Sequence, residues 1–164
     1  MRIFIRNFSI GLSTSIILIF SSAAWAACND PRTPTSRYVV QGGEVYDKKT
    51  DLTWARCSVG QHWKEGIGCA GIVKTMTWDE AQRQGGGVWR VPTKDELLTL
   101  VATACKNPSI NEDVFPDMDL EKPWYWTSTT DGASVAWDVY FPDGTVYNHY
   151  RTDTLAVRLV RGGQ

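Results

Sequence analysis

The sequence predicts a small α+β domain with two short helices, an antiparallel sheet and disulfides that staple the parts together. Residues 124–163 alternate apolar and polar side chains through three segments, with an Asp143-Gly144 turn between two of them. Two Thr-x-x-Glu motifs, at Thr77 and Thr93, have the form of capping boxes that open helices. The four cysteines are an even number, which suggests two disulfides in an exported chain.

Residues 1–26 have the order of a cleaved secretory signal: two arginines, an apolar run over residues 10–20 and the frame Ala24-Trp25-Ala26. The run has about half of the roughly 20 residues that a membrane-spanning helix needs, so we predict no span in the mature protein. Cys28 leaves lipidation as an alternative, although Trp25 stands where a lipoprotein signal usually carries Leu. We predict a bacterial protein that is secreted, periplasmic or at the cell surface.

Export places the cysteines in an oxidising compartment, where they allow three pairings. We favour Cys57 with Cys69, a short clasp around a glycine-rich stretch, and Cys28 with Cys105, which staples the N-terminal arm to a helix. Loop-closure entropy gives roughly 3 kcal/mol for the short loop and about 4.5 kcal/mol for the long one. Both are large fractions of the stability of a small domain.

Composition limits the partners. The 17 basic and 18 acidic residues nearly balance, and the signal takes two arginines with it. No basic stripe remains to hold a nucleic-acid backbone, so we exclude nucleic acid as a partner. Eight tryptophans are a high density for 164 residues. We interpret most of these rings as core, with one or two near loops that can stack on a sugar.

An extended arm with prolines, residues 27–37, precedes the ordered domain, residues 38–164. A helix over residues 78–84 ends at Gly85-Gly86-Gly87. Pro92 then separates a short strand from a second helix, whose 3.6-residue apolar stripe extends over residues 94–104. Residues 107–122 have no clear period and form a long irregular connection. Strands are predicted at residues 38–40, 44–46, 52–55, 88–91, 124–128, 133–141, 145–150 and 155–161.

Side chains within these elements are interpreted as structural. Alternation places four apolar residues on one face of a strand: Val135, Trp137, Val139 and Phe141. Three arginines recur among aromatic residues and are expected to pair with carboxylates such as Asp95, Glu96 or Asp138: Arg90, Arg158 and Arg161. Three tryptophans are expected to fill the core: Trp89, Trp126 and Trp137.

Short motifs follow one another along the chain: DLTWARCSVGQHW, TWDEAQ, VWRVPTKDELLTLV, NPSINEDVFP, YWTSTT, AWDVYFPDG and VRLVRGG. In this order they resemble the Lcl C-terminal domain family, named for the end domain of a collagen-like bacterial adhesin. The resemblance covers roughly residues 45–163. Such domains are similar to the C-type lectin-like fold, which formylglycine-generating enzymes and phage and bacterial receptor-binding proteins share. The resemblance implies two helices on a twisted antiparallel sheet whose termini come close together.

Receptor-binding relatives of this fold generally use loops of the C-terminal sheet, which implies a ligand site there. The matching positions combine an aromatic ring, an amide and a cation, a set that can stack on a sugar face or grip sulfate and carboxylate groups. A polar surface turn between strands would have the same composition. The predicted ligand-binding residues are Asp131, Asn148, His149, Tyr150, Arg151 and Asp153, with Thr130 and Thr152 beside them.

No cofactor is predicted. No CxxC pair occurs and only His62 and His149 could assist a zinc ion. Of the motifs with which sugar-binding C-type lectins hold calcium, the chain offers only Ala136-Trp137-Asp138 and Asn111-Glu112-Asp113. Formylglycine-generating enzymes need a reactive cysteine pair in the C-terminal part, whereas no cysteine here follows Cys105. The histidines have no obvious serine or cysteine partner, so we predict that the protein is not an enzyme.

The sequence thus predicts a secreted, non-catalytic binding or adhesion domain whose ligand is a glycan or a protein. The alternative is a structural subunit of a pilus or another cell-envelope assembly, since both functions share the fold and the export signal.

Overall fold

The computed structural model describes residues 28–163, so the predicted signal over residues 1–26 lies outside the described part. The described chain is mostly antiparallel sheet with two short helices, which confirms the predicted α+β composition. Its elements are a 3₁₀ turn at Thr35–Arg37, β1 Tyr38–Gln41, β2 Glu44–Asp47, β3 Leu52–Ala55, β4 Gln61–Lys64, β5 Gly68–Gly71, α1 Trp78–Gln82, α2 Lys94–Leu98, β6 Trp124–Thr130, β7 Val135–Tyr140, β8 Thr145–Tyr150 and β9 Val160–Gly162. Neither helix in this range is long and apolar enough to cross a membrane.

The strands form three antiparallel sheets in the described residues, ordered β1-β2-β3-β9, β4-β5 and β6-β7-β8. The first sheet joins the two ends of the domain, because β9 pairs with β3 through Trp54 and Val160. The predicted hairpin between β1 and β2 is present, with Gln41 opposite Glu44. Gly42 has a φ of +54°, a left-handed conformation that glycine adopts without a steric penalty.

The helices begin where the capping boxes predict. At α2 the Glu96 amide donates to the Thr93 hydroxyl at 3.2 Å, and the Thr93 amide donates to the Glu96 carboxylate at 2.7 Å. The predicted extension of α2 to residue 104 is wrong, since the helix ends at Leu98. Beyond it, the amides of Thr99, Leu100 and Val101 bond to carbonyls three residues earlier, and the Ala102 amide donates to the Ser109 carbonyl at 2.9 Å. The chain therefore tightens and turns away where the next helical turn was expected.

Two predicted strands are also corrected. Residues 88–91 form no strand; Val88 lies exposed in a turn, and Arg90 alone makes a bridge to Val160. Residues 155–161 form a strand only from Val160 onward. The segment before it changes partners as it passes between sheets, because Leu155 bridges Met76 and Ala156 bridges Tyr125. Partner changes of this kind are invisible to an alternating pattern.

The hairpin of β4 and β5 was not predicted, because its glycines weaken the strand signal. Gly60 and Gly71 allow two backbones to approach closely here: a Cβ at Gly60 would lie 2.4 Å from the carbonyl oxygen of Ile72. Cys57 and Cys69 close this hairpin, and Cys28 and Cys105 join the arm to the segment after α2. Both favoured disulfides are therefore present. In this state the Cys28 sulfur is not available for a thioether-linked lipid.

Two apolar clusters fill the interior. The larger lies between the first sheet, α2 and one face of the β6-β7-β8 sheet, and Trp54, Phe115 and Tyr125 are among its fully buried rings. The smaller lies on the other face and is formed by Met76, Ala81, Val91, Trp126, Ala136, Leu155 and Val157. Trp126 is fully buried, as expected of a core residue. Trp89 and Trp137 are half-buried, each beneath a cation, Arg161 and Lys94 respectively.

Residues 107–122 form the predicted irregular connection, without a helix or strand. Arg158 anchors it, because this buried guanidinium pairs with Asp117 at 2.6 Å and donates to the Ala55 carbonyl at 2.8 Å. The hydroxyl of Ser58 donates to the same carboxylate at 2.9 Å. The interpretation of the arginines as structural ion-pair partners is confirmed, since Arg90 pairs with Glu96, Arg158 with Asp117, and Arg161 with Glu44.

Candidate functional site

Four neighbouring aromatic side chains, one exposed and three partly buried, lie on one face of the β6-β7-β8 sheet, and we call them the ring ledge: Trp124, Tyr140, Tyr147 and His149. Cross-strand register places them together. Trp124 lies opposite Tyr140, while Tyr147 and His149 lie opposite Asp138 and Ala136. Because alternate residues of a strand share a face, all of these side chains point to one side of the sheet.

The rings contact one another along the ledge. The centroids of Trp124 and Tyr140 are 4.8 Å apart, and those of Tyr140 and Tyr147 are 6.0 Å apart. The imidazole of His149 lies edge-on to Trp124 at 6.3 Å and to buried Trp126 at 6.4 Å. Tyr147 is 45% exposed at the outer strand. Such separations are typical of interacting aromatic pairs, so the ledge is a preformed surface.

A buried carboxylate supports the ledge from below. Asp138 is completely buried, and its Oδ2 lies 2.7 Å from Nδ1 of His149. Burial raises the pKa of Asp138, and the hydrogen bond and charge of His149 act in the opposite direction. Oδ1 of Asp138 is buried without a hydrogen-bond partner among residues 28–163. The expected pairing of Asp138 with an arginine is wrong, because the imidazole takes that place.

This contact orients the imidazole. When Asp138 is ionised its oxygens only accept, so in that state Nδ1 of His149 is the donor and Nε2 is left for another partner. In the described chain no side chain or backbone group hydrogen-bonds to Nε2, and the His149 side chain is 32% exposed. In the neutral imidazole Nε2 accepts a hydrogen bond from a ligand, and in the protonated ring it donates one.

The predicted ligand-binding residues separate into three places. His149 belongs to the ring ledge, whereas Asn148 and Tyr150, its neighbours on β8, point to the other face. The Asn148 amide donates to the Asp131 carboxylate at 2.6 Å. Tyr150 is 65% exposed, and its backbone amide donates to the Asp153 carboxylate at 3.1 Å.

Arg151 already has protein partners. Its guanidinium forms an ion pair with Asp79, lies 4.0 Å from the centre of the Trp78 ring and donates to the Ala133 carbonyl at 3.3 Å. The sequence predicted that these residues form one polar loop. In the structure His149 lies on the ring ledge, Asn148 and Tyr150 lie on the other face of β8, and Arg151 contacts α1. Thr130 and Thr152, beside these positions, are exposed.

Sequence reasoning missed Trp124, Tyr140, Tyr147 and the role of Asp138. A usable signal was present, because the same alternation that places Val139 in the core places Asp138 and Tyr140 on the opposite face. The hairpin at the Asp143-Gly144 turn then places Tyr147 and His149 of β8 on this same face.

Asn111, in one of the two stretches considered for calcium, makes structural contacts. The Asn111 amide donates to the Thr33 carbonyl at 2.8 Å, and its carbonyl oxygen accepts from the Val114 amide at 3.2 Å. These bonds fasten the N-terminal arm to the irregular connection. Within residues 28–163, no group of three or more His, Cys, Asp or Glu side chains is placed to hold a metal ion.

The amino-acid sequence of this domain also matches a known protein family. The Lcl C-terminal domain profile matches residues 43–161, which include β2 to β8, the first two residues of β9, both helices and the ring ledge. A search of curated proteins finds no match. Because the profile match covers more than half of the sequence, the chain belongs to the Lcl C-terminal domain family.

Proposed function

We propose that the protein is an exported, non-catalytic, adhesin-like domain that binds a glycan or a protein through its C-terminal sheet. The single observation that carries the proposal is the ring ledge, in which partly exposed aromatic side chains lie together on one face. Contiguous exposed aromatic surface on a folded domain is typical of interaction sites. Membership of a family named for an adhesin domain supports the same function.

Two further features support parts of this proposal. Paired cysteines suit an oxidising, extracytoplasmic compartment, which agrees with the signal predicted over residues 1–26. All four cysteine sulfurs are in disulfides, so none is a thiolate nucleophile. We also assign the domain to the C-type lectin-like architecture, because two helices pack on antiparallel sheets and β9 returns beside the N-terminal strands.

The alternative, a structural subunit of an envelope assembly, is favoured by the free edge of β8. The Arg151 amide bonds to the Ser134 carbonyl, and antiparallel pairs alternate, so the backbone groups of Val146 and Asn148 point away from β7. No strand in residues 28–163 pairs with this edge. An added strand from another subunit would pair with these groups.

The test compares two tyrosines of one strand. Immobilised wild-type protein is probed with a glycan array and with cell-envelope extract, in parallel with the Tyr147→Ala and Tyr150→Ala variants. We expect binding in at least one arm, lost in Tyr147→Ala and kept in Tyr150→Ala, whose side chain lies on the opposite face. Loss of binding in Tyr150→Ala alone would show that the ligand binds at the loop predicted from the sequence and not at the ring ledge.

The two functions are distinguished by the kind of capture. A ligand that Tyr147→Ala abolishes supports the binding domain. Capture of an envelope protein that survives Tyr147→Ala but is lost when Asn148 is replaced by proline supports the assembly subunit, because proline removes the outward amide. Absence of any ligand in both arms contradicts the binding function.

A further inference from the structure

We propose that the ring ledge binds the apolar face of an uncharged sugar, with Nε2 of His149 and the Tyr140 and Tyr147 hydroxyls as its hydrogen-bonding groups. This inference rests on the proposed function and narrows its ligand from glycan or protein to a neutral saccharide. It is carried by ring geometry, by the charges around the ledge and by the buried support of His149.

The first argument is shape. A pyranose ring presents C–H groups on one face and hydroxyls around its perimeter, so it needs an aromatic surface with polar groups at its border. The ledge has this arrangement, because Trp124 and Tyr140 lie 4.8 Å apart at a tilt of 36° and Tyr147 and His149 extend the surface beyond them. Two depressions of the surface, each of about 550 to 570 Å³, are lined by other segments.

The second argument is charge. On the ledge face of β6, β7 and β8, Asp138 is the one ionisable carboxyl, and no lysine or arginine stands on that face of the strands. The cations nearby in sequence have other contacts: Lys94 lies over Trp137 on the opposite face, Lys122 donates to the Val73 carbonyl at 3.0 Å, and Arg151 pairs with Asp79. On the ledge face of these three strands a sulfate or uronate group would therefore meet a buried carboxyl and no lysine or arginine.

The third argument is the orientation of His149. Asp138 is fully buried and its contact with Nδ1 directs Nε2 outward between aromatic rings. Buried carboxylates that hold an imidazole in one orientation make its other nitrogen a directional hydrogen-bonding group. In the described chain the Tyr140 and Tyr147 hydroxyls make no hydrogen bond to protein, so three polar groups border the rings and face solvent. Sugar hydroxyls both donate and accept, and they match this set.

The experiment titrates methyl galactoside, methyl glucoside and N-acetylglucosamine, each followed by the indole amide of Trp124 and the His149 ring in NMR spectra. Sulfated and uronic oligosaccharides form a second arm. We expect at least one neutral sugar to shift these signals and to bind equally well when the salt concentration is raised. Tyr147→Ala and His149→Ala should each lower the affinity about tenfold or more. Tyr150→Ala, with its exposed side chain on the opposite face, should leave it unchanged.

Other outcomes separate the two claims. Binding only to sulfated or uronic glycans, weakened by salt, overturns this inference and leaves the proposed function intact, as does a ligand that is exclusively a protein. Neutral-sugar binding that Tyr147→Ala does not affect places the site elsewhere and also overturns it. No binding in any arm contradicts both the inference and the proposed function. Thermal unfolding of each variant verifies that the fold is retained.

Discussion

Two buried charged residues show how differently single side chains act in this protein. Arg158 is held by an ion pair to Asp117 and by backbone carbonyls, so its charge is compensated where it lies. Asp138 has one hydrogen bond, to an imidazole, and its second oxygen has no partner in the described chain. An incompletely bonded buried carboxylate reduces stability. Asp138 therefore lowers the stability of the domain at the position where it supports the ring ledge.

Replacing Asp138 by Asn should remove one contribution to the pH dependence of stability. Burial raises the pKa of Asp138, so its favourable contribution is fully present below the pKa of the unfolded state and is lost as the pH rises through the folded-state pKa. The variant lacks this titration. We therefore expect the unfolding free energy of Asp138→Asn minus that of the wild type to increase as the pH rises from about 3 to about 7. Urea titrations at several pH values measure this difference.

Asp143→Asn is the matched control. A hydrogen bond with Thr145 lowers the pKa of Asp143, so its contribution is present above the unfolded pKa and is lost as the pH falls. The stability of this variant relative to the wild type should change with pH in the opposite direction. Parallel behaviour of the two variants would show that Asp138 is not responsible.

At the scale of elements, short helices depend on their caps. Each helix here is five residues long, too short to be stable by its own propensity. The capping box at Thr93 satisfies two amides at the start of α2, and Leu97 is fully buried against the main cluster. The cap and this packed side chain together stabilise the helix.

Thr93→Ala should therefore destabilise the domain by about 1 kcal/mol, since the Glu96 amide loses its acceptor. Thr93→Ser keeps the hydroxyl and should lose only a fraction of this. The midpoints of denaturant unfolding measure both values. Equal stability of the alanine and serine variants would mean that the hydroxyl is not the stabilising group.

Elements with local signals were predictable, and elements with distant partners were not. The capping boxes place the starts of α1 and α2 correctly, and the Asp143-Gly144 turn and the alternation of β7 and β8 predict their hairpin. After α2 the amides of residues 99–101 bond three residues back and the Ala102 amide bonds to Ser109, a change that the apolar stripe over residues 94–104 does not reveal. Of the ring ledge, only His149 was predicted as a site residue. The other three residues come together through the cross-strand register of β6, β7 and β8, which the polarity of the loops does not reveal.

At the scale of the whole molecule, the two disulfides act over different lengths of chain. Cys57 and Cys69 are 12 residues apart and close one hairpin, while Cys28 and Cys105 are 77 residues apart and connect the arm to the segment after α2. Crosslinks that close longer loops remove more freedom from the unfolded chain. The arm is thereby part of the domain, and Arg37 ties it further by its buried contact with Asp47.

We expect the double variant Cys28→Ser, Cys105→Ser to lose about 4.5 kcal/mol of unfolding free energy, and Cys57→Ser, Cys69→Ser to lose about 3 kcal/mol. Chemical denaturation of both variants and of the wild type measures the losses. The wild type under reducing conditions is the control and should be less stable than either variant. A larger loss for the short loop would contradict the entropic reasoning.

The return of β9 to β3 governs when the protein can acquire its structure. Arg158 donates to the carbonyl of Ala55, 103 residues earlier in the chain, and β9 supplies the last strand of the N-terminal sheet. A polypeptide threaded through a translocation channel from its N-terminus delivers these residues last. Before β9 and Arg158 emerge, one edge of β3 is unpaired and Asp117 has no ion-pair partner. If the protein is exported as we propose, folding should follow passage across the membrane and not accompany it, and the emerging chain should depend on holding chaperones and be sensitive to envelope proteases in that interval.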